Sequence, residues 1–163
     1  MLKKKVNPEA MDYLEGRKEI NKATFDALFG DANPYYVRAM RRRFDMIAVL
    51  KMAKANGCEC YITPGDDMYT YGYMIFPDGV VMYIQTGHFW GFDFSIPYVP
   101  SRKHGTGCMC NEESICSYEV DWDELLKQKT EGLAFARKLG AQRYTSADEW
   151  KQNCWKFDEM IRL

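Results

Sequence analysis

The chain has 163 residues, 47% of them hydrophobic, 28% charged and 15% aromatic, with a formal net charge of -1. A domain of this length buries roughly 70% of its extended surface on folding. The mix excludes a disordered tail and a fibrous repeat, and the charge balance excludes a polyanionic mimic of nucleic acid and a wholly basic coat for it.

Lys3, Lys4 and Lys5 open the chain as a signal peptide would, but Asn7, Pro8, Glu9 and Asp12 stand where the apolar run should follow. No stretch approaches the roughly 18 apolar residues of a membrane span. A cytoplasmic protein is expected, its six cysteines serving as thiols or metal ligands rather than disulfides.

Charge is segregated along the chain. Residues 1–57 carry 12 Lys and Arg against 7 acids. Residues 58–100 carry no Lys or Arg, 5 acids and 11 of the 24 aromatic residues. Residues 101–163 carry 10 basic and 11 acidic groups. No linker separates these stretches. A single domain over 1–163 is predicted, helical over 1–57, a β-meander over 58–100, a Gly/Cys loop over 101–120 and two helices over 121–163.

Asn7-Pro8 starts a short helix running to about Leu14, and Asn21 starts another that Gly30 ends. Asn33-Pro34 starts a longer helix that meets no breaker before Asn56-Gly57. Its Val37, Met40, Phe44, Ile47 and Ala48 fall on one side and Met46, Val49, Leu50 and Ala53 on the other, so its second half should be buried. Cys58–Thr63 alternates as a strand, and Met68–Phe76 is extended and aromatic. Pro77-Asp78-Gly79 turns the chain, Val80–Thr86 returns, and Phe92, Phe94 and Ile96 mark a fourth strand. Asp121 with Glu124, and Ser146 with Glu149, form capping boxes that open two helices. Trp150, Cys154, Phe157 and Ile161 fall on one face of the second. The fold class is α+β: a four-stranded antiparallel meander with N-terminal and C-terminal helices packed against it.

Four constellations carry potential chemistry. Cys58 and Cys60, then Cys108 and Cys110 with Cys116 nearby, could hold zinc, the one cofactor the chain suggests. Two positions i and i+2 on a strand lie about 6.6–6.8 Å apart, so Cys58 and Cys60 would need a bend to share a metal. The alternative is that Cys58, Cys60 and Cys154 are small buried apolar residues. Arg102, Lys103 and His104 precede Gly105-Thr106-Gly107, whose amides could nest an anion; a solvated closing loop is the alternative. Arg38, Arg41, Arg42 and Arg43 form a helical arginine run beside Asp45, suited to phosphate or an acidic partner, or else a solvated helix face. Tyr69, Tyr71 and Tyr73 share one strand face; with no cation in their block they suit packing or a protein interface better than a base platform. Catalysis has little to build on. His104 with Cys108, or His88 with Cys110, could be drawn as base and nucleophile, but no residue orients either histidine.

Phe76-Pro77-Asp78-Gly79, Tyr98-Val99-Pro100-Ser101 and Gly105-Thr106-Gly107 resemble the style of small accessory proteins of phages and mobile elements. That resemblance implies a regulator, or an inhibitor of a nucleic-acid-handling host defence complex, acting by binding; it assigns no functional residues. The expected function is therefore non-catalytic binding of a protein or nucleoprotein complex, with direct nucleic-acid contact as one form of it and no membrane involved. A zinc- or thiol-dependent protein centred on the Cys108–Cys116 loop, and a homo-oligomer using the tyrosine face, are the alternatives.

Overall fold

The computed structural model describes residues 7–65, 69–87, 91–104, 108–110 (backbone only) and 114–163. It is an α+β arrangement in which one antiparallel sheet carries helices on both faces.

Three N-terminal helices open as their caps dictate. In α1 (Pro8–Leu14), the Asn7 side chain accepts from Glu9 N at 3.0 Å. In α2 (Lys22–Phe29), Asn21 accepts from Thr24 N at 2.8 Å. In α3 (Pro34–Ala55), Asn33 accepts from Tyr35 N at 2.9 Å. Each removes one orphan donor of the first turn, an interaction of about 1 kcal/mol. Phe25 and Phe29 of α2 pack with Met40 and Phe44 of α3, which leaves the first half of α3 bundled with helices. Its second half lies on the sheet through Met46, Ile47, Val49, Leu50 and Ala53.

The meander is formed by β1 (Glu59–Ile62), β2 (Tyr71–Ile75), β3 (Val81–Thr86) and β4 (Gly91–Pro97). Four strands were too few, however. The sheet path runs β5-β4-β3-β2-β1-β7, with β5 at Cys108–Cys110 and β7 at Ile161–Arg162, and β6 (Ile115–Cys116) also pairs with β4. Both additions have one cause: an outermost strand presents a row of unpaired backbone groups, and nearby chain satisfies them. Part of the expected Gly/Cys loop therefore becomes edge strand against β4. The end of the expected last helix becomes edge strand against β1.

After β6, α4 (Trp122–Leu139) begins where the Asp121 side chain accepts from Glu124 N at 2.8 Å, and it ends at Gly140 in the left-handed region, φ 70°. The last helix, α5 (Ala147–Asn153), is shorter than the Trp150–Ile161 pattern suggests. Lys156 takes φ 56°, a 3-10 turn spans Phe157–Glu159, and the chain then extends into β7. The spacing held for Trp150, Cys154 and Phe157, which pack on one face of the sheet, whereas Ile161 is a residue of β7 and packs on the opposite face.

The sheet has two unlike faces. On one, Cys60, Ile62, Met74, Met82, Ile84, Phe92, Phe94 and Ile96 are covered by α3 and α4. Gly72 belongs to this face because a Cβ there would meet the Tyr61 carbonyl oxygen at 2.6 Å and Leu50 at 2.9 Å. On the other face, α5 and the segment after it cover Tyr61, Ile75 and Val81 with Trp150 and Phe157. The sheet also has two ends. The hairpin end holds Pro77–Gly79 and the last turn of α3. The loop end, roughly 20 Å away along β4, holds the β1–β2 and β3–β4 connections and the first half of α3.

Candidate functional site

The arginine run is divided by the helix. Met40, Arg43, Ile47 and Leu50 recur at i, i+3, i+7 and i+10, the buried stripe of α3, and Arg43 is fully buried there. Its Nε donates to Leu14 O at 2.7 Å and its Nη2 to Thr63 O at 2.6 Å. Nη1 donates to the hydroxyls of Thr63 at 3.3 Å and Thr70 at 3.4 Å. Arg43 thus caps the C-terminus of α1 and closes the two ends of the β1–β2 connection onto α3. It is withdrawn from any external anion, and the expected four-arginine patch becomes three. Gly65 completes this junction, since a Cβ there would come within 2.8 Å of Leu14.

The remaining three face outward to different degrees. Arg38 and Arg41 are exposed and Arg42 is half-buried. The Arg41 guanidinium lies 5.4 Å from the Phe25 ring centroid, a cation–π contact that holds it against α2. Asp45 continues the same outer stripe and lies beside the Ser117 side chain of the 3-10 turn Ser117–Glu119.

The second cationic group does not join the first. Arg102 and Lys103 are exposed beyond β4 at the hairpin end, while Arg38, Arg41 and Arg42 lie at the loop end. His104 is tethered: the Tyr98 hydroxyl donates to its carbonyl at 2.6 Å, its own N–H donates to Ser101 Oγ at 3.1 Å, and its ring stands edge-on to Tyr98 at 6.0 Å. Gly105, Thr106 and Gly107 lie outside the described residues, as do Asp66, Asp67 and His88.

The tyrosine ladder is also altered. Tyr69 precedes β2 and is 82% exposed, so it is not a rung. Tyr71 and Tyr73 are rungs, and Tyr83 joins them across the hairpin, with ring centroids 5.1 Å from Tyr73 and 5.6 Å from Tyr71. Trp150 stacks on Tyr73 at 4.5 Å and closes that side. Gln85 and Asp93 pair directly across β3 and β4 beside Tyr71, and Asp93 is hydrogen-bonded to Ser114. This corner of the sheet is half-buried, polar and aromatic.

The cysteines are dispersed. Cys58 and Cys60 are buried on the face under α3, and burial pushes their thiols up to about 11 and about 12. Both belong to the hydrophobic core beneath α3. Cys108 and Cys110 belong to β5, four strands from β1, a separation of about 19 Å. Cys116 pairs with Gly91 and Cys110 with Ser95, positions four residues and about 13 Å apart on β4. Sulfurs sharing a zinc must lie within roughly 4 Å of each other, so these backbone positions do not converge on one ion. Among the described residues no group of three or more His, Cys, Asp or Glu side chains could hold a metal. The Cys108–His104 and Cys110–His88 pairs rest on side chains outside the described residues.

Sequence reasoning missed Arg43's burial and the exposure of Tyr35 (80%) and Tyr118 (83%). The spacing of Arg43 with Met40 and Ile47 carried the first signal. The second had none, because an exposed tyrosine and a core tyrosine read alike in one sequence.

No family model, curated protein or solved structure is similar to this chain.

Proposed function

We propose that this protein is a non-catalytic binding protein that docks on a polyanionic surface through the first half of α3. One observation carries the reading: Arg43 fixes the rotation of α3 through four buried hydrogen bonds, and that rotation presents Arg38 and Arg41 outward. A forked guanidinium suits phosphate and carboxylate alike. In a phage or mobile-element setting, the surface would belong to a cytoplasmic complex that handles nucleic acid. No helix among the described residues is long and apolar enough to cross a membrane.

Heparin affinity chromatography tests this directly. A protein of net charge -1 and pI near 6.1 has no reason to bind heparin unless a local patch overrides the total. The wild type should be retained at low salt, and Arg38→Glu with Arg41→Glu should pass through while still unfolding cooperatively, losing no more than about 1 kcal/mol from the Arg41–Phe25 contact. Arg102→Glu with Lys103→Glu, at the other end of the sheet, should still be retained. A wild type that does not bind heparin removes the reading.

The homo-oligomer reading draws on Tyr69, which stands 82% exposed next to the half-buried Tyr71 and Tyr83. Native mass measured across a dilution series should then show a dimer that dissociates, and Tyr69→Ala should weaken it.

A further inference from the structure

The outer stripe of α3 is not cationic alone. Tyr35 opens it at 80% exposure, Arg38, Arg41 and Arg42 follow, and Asp45 ends it about 15 Å further on. There the Ser117 side chain lies beside Asp45, and its neighbour Tyr118 stands 83% exposed. The result is a track with an exposed phenol at each end and arginines between.

Neither phenol belongs to the hydrophobic clusters. An exposed tyrosine offers a flat apolar ring with a polar tip and loses little rotamer freedom on binding. Arginines between two such rings match a ligand that alternates negative charge with planar rings. A duplex hides its rings inside the stack; a single strand offers them. Asp45 and Glu119 lie at the Tyr118 end, so the cationic part of the track is biased towards Tyr35.

From this arrangement, and resting on the polyanion-docking reading above, we infer that the α3 track binds single-stranded nucleic acid, with Tyr35 and Tyr118 stacking on bases while Arg38 and Arg41 contact phosphates. Tyr35 and Tyr118 set the preference for single strands, and the arginines set the salt dependence.

Fluorescence anisotropy with a labelled oligo-thymidine of about 20 nucleotides, and with a duplex of matching length, tests the inference from roughly 50 to 300 mM KCl. The single strand should bind at least tenfold tighter than the duplex. Tyr35→Ala with Tyr118→Ala should lower single-strand affinity at least tenfold and leave the slope of log affinity against log salt unchanged. The phenylalanine pair, which keeps the rings, should restore binding. Arg38→Gln with Arg41→Gln should instead flatten the slope by about 1.4, two contacts at about 0.7 each. A duplex bound as tightly as the single strand, or an alanine pair that binds like wild type, overturns the stacking inference and leaves polyanion docking standing. Retention on heparin without binding to either oligonucleotide also overturns it, and turns the docking reading towards an acidic protein. Failure on heparin and both oligonucleotides removes both.

Discussion

The two faces of the sheet are built to different standards. Under α3 and α4, Cys60, Ile62, Met74, Met82, Ile84, Phe92, Phe94 and Ile96 are each no more than 2% exposed. On the opposite face, Tyr61, Ile75 and Val81 are closed by Trp150 and Phe157, while Tyr71, Tyr83, Gln85 and Asp93 stay half-buried. The first face is saturated and has no surface left for a partner. The second is finished at the hairpin end and unfinished at the loop end. That open corner lies at the same end as the outward arginines of α3, so both surfaces able to meet a partner share one end of the molecule.

The sharpest break of this division comes at Arg43, which holds α1, α3 and the β1–β2 connection together where the closed face ends. Arg43→Met keeps the bulk and strands the Leu14 and Thr63 carbonyls, each orphaned acceptor costing about 1–3 kcal/mol. Urea unfolding should show a loss of about 4 kcal/mol. Arg41→Met, two residues back on the outside, should stay within about 0.5 kcal/mol. Equal small losses for both would mean that the buried bonds do not organise the junction.

The next test divides the tyrosine face itself. Trp150 is 2% exposed and touches both Tyr73 and Phe157, at 4.5 and 5.3 Å. Trp150→Ala should cost about 3–5 kcal/mol, the usual range for removing a buried large aromatic ring. Tyr71, partly open to solvent, should cost about 1 kcal/mol as alanine. Thermal unfolding of the two variants side by side would show whether the face is half closed; matching losses would show that Tyr71 is core after all.

Much of this architecture was legible because it depends on local chemistry. Asn7, Asn21, Asn33, Asp121 and Ser146 each accept the hydrogen bond that their position before a helix requires. The meander followed from alternation and from the Pro77–Gly79 turn, where Gly79 takes φ 86°. The edges were not legible. Cys108–Cys110 and Ile161–Arg162 are too short to show a period, and they extend only because β4 and β1 leave backbone groups to pair. The arginine run was readable as charge, but not in which of its members face outward. A run of three arginines announces charge; the helical spacing of Arg43 with Met40 and Ile47 hints that it turns inward, and Leu14 and Thr63 supply the partners that let it be buried there. Tyr69 looked like a rung because period two counts positions and cannot see where a strand begins.

The smallest expected effect concerns the saturated face and its thiols. Cys58 and Cys60 sit at 5% and 0% exposure, and burial raises them from an ordinary value of 9.0 to about 11 and about 12. In the unfolded chain both thiols ionise near the ordinary value, while in the folded chain they stay protonated. Below about pH 9 the two states bind the same protons and pH has no leverage through these groups. From there up to about pH 11–12 the unfolded state is favoured, so stability falls as pH rises, by on the order of 1 kcal/mol per thiol at about pH 10. Cys58→Ala with Cys60→Ala should flatten that alkaline decline while lowering stability at neutral pH. Melting curves between pH 7.5 and 10 would separate the two effects. A double variant that declines as steeply as wild type would move the alkaline sensitivity elsewhere, and the tyrosine face, whose Tyr61 phenol is raised by burial and by its hydrogen bond to Glu59, would be the next place to look.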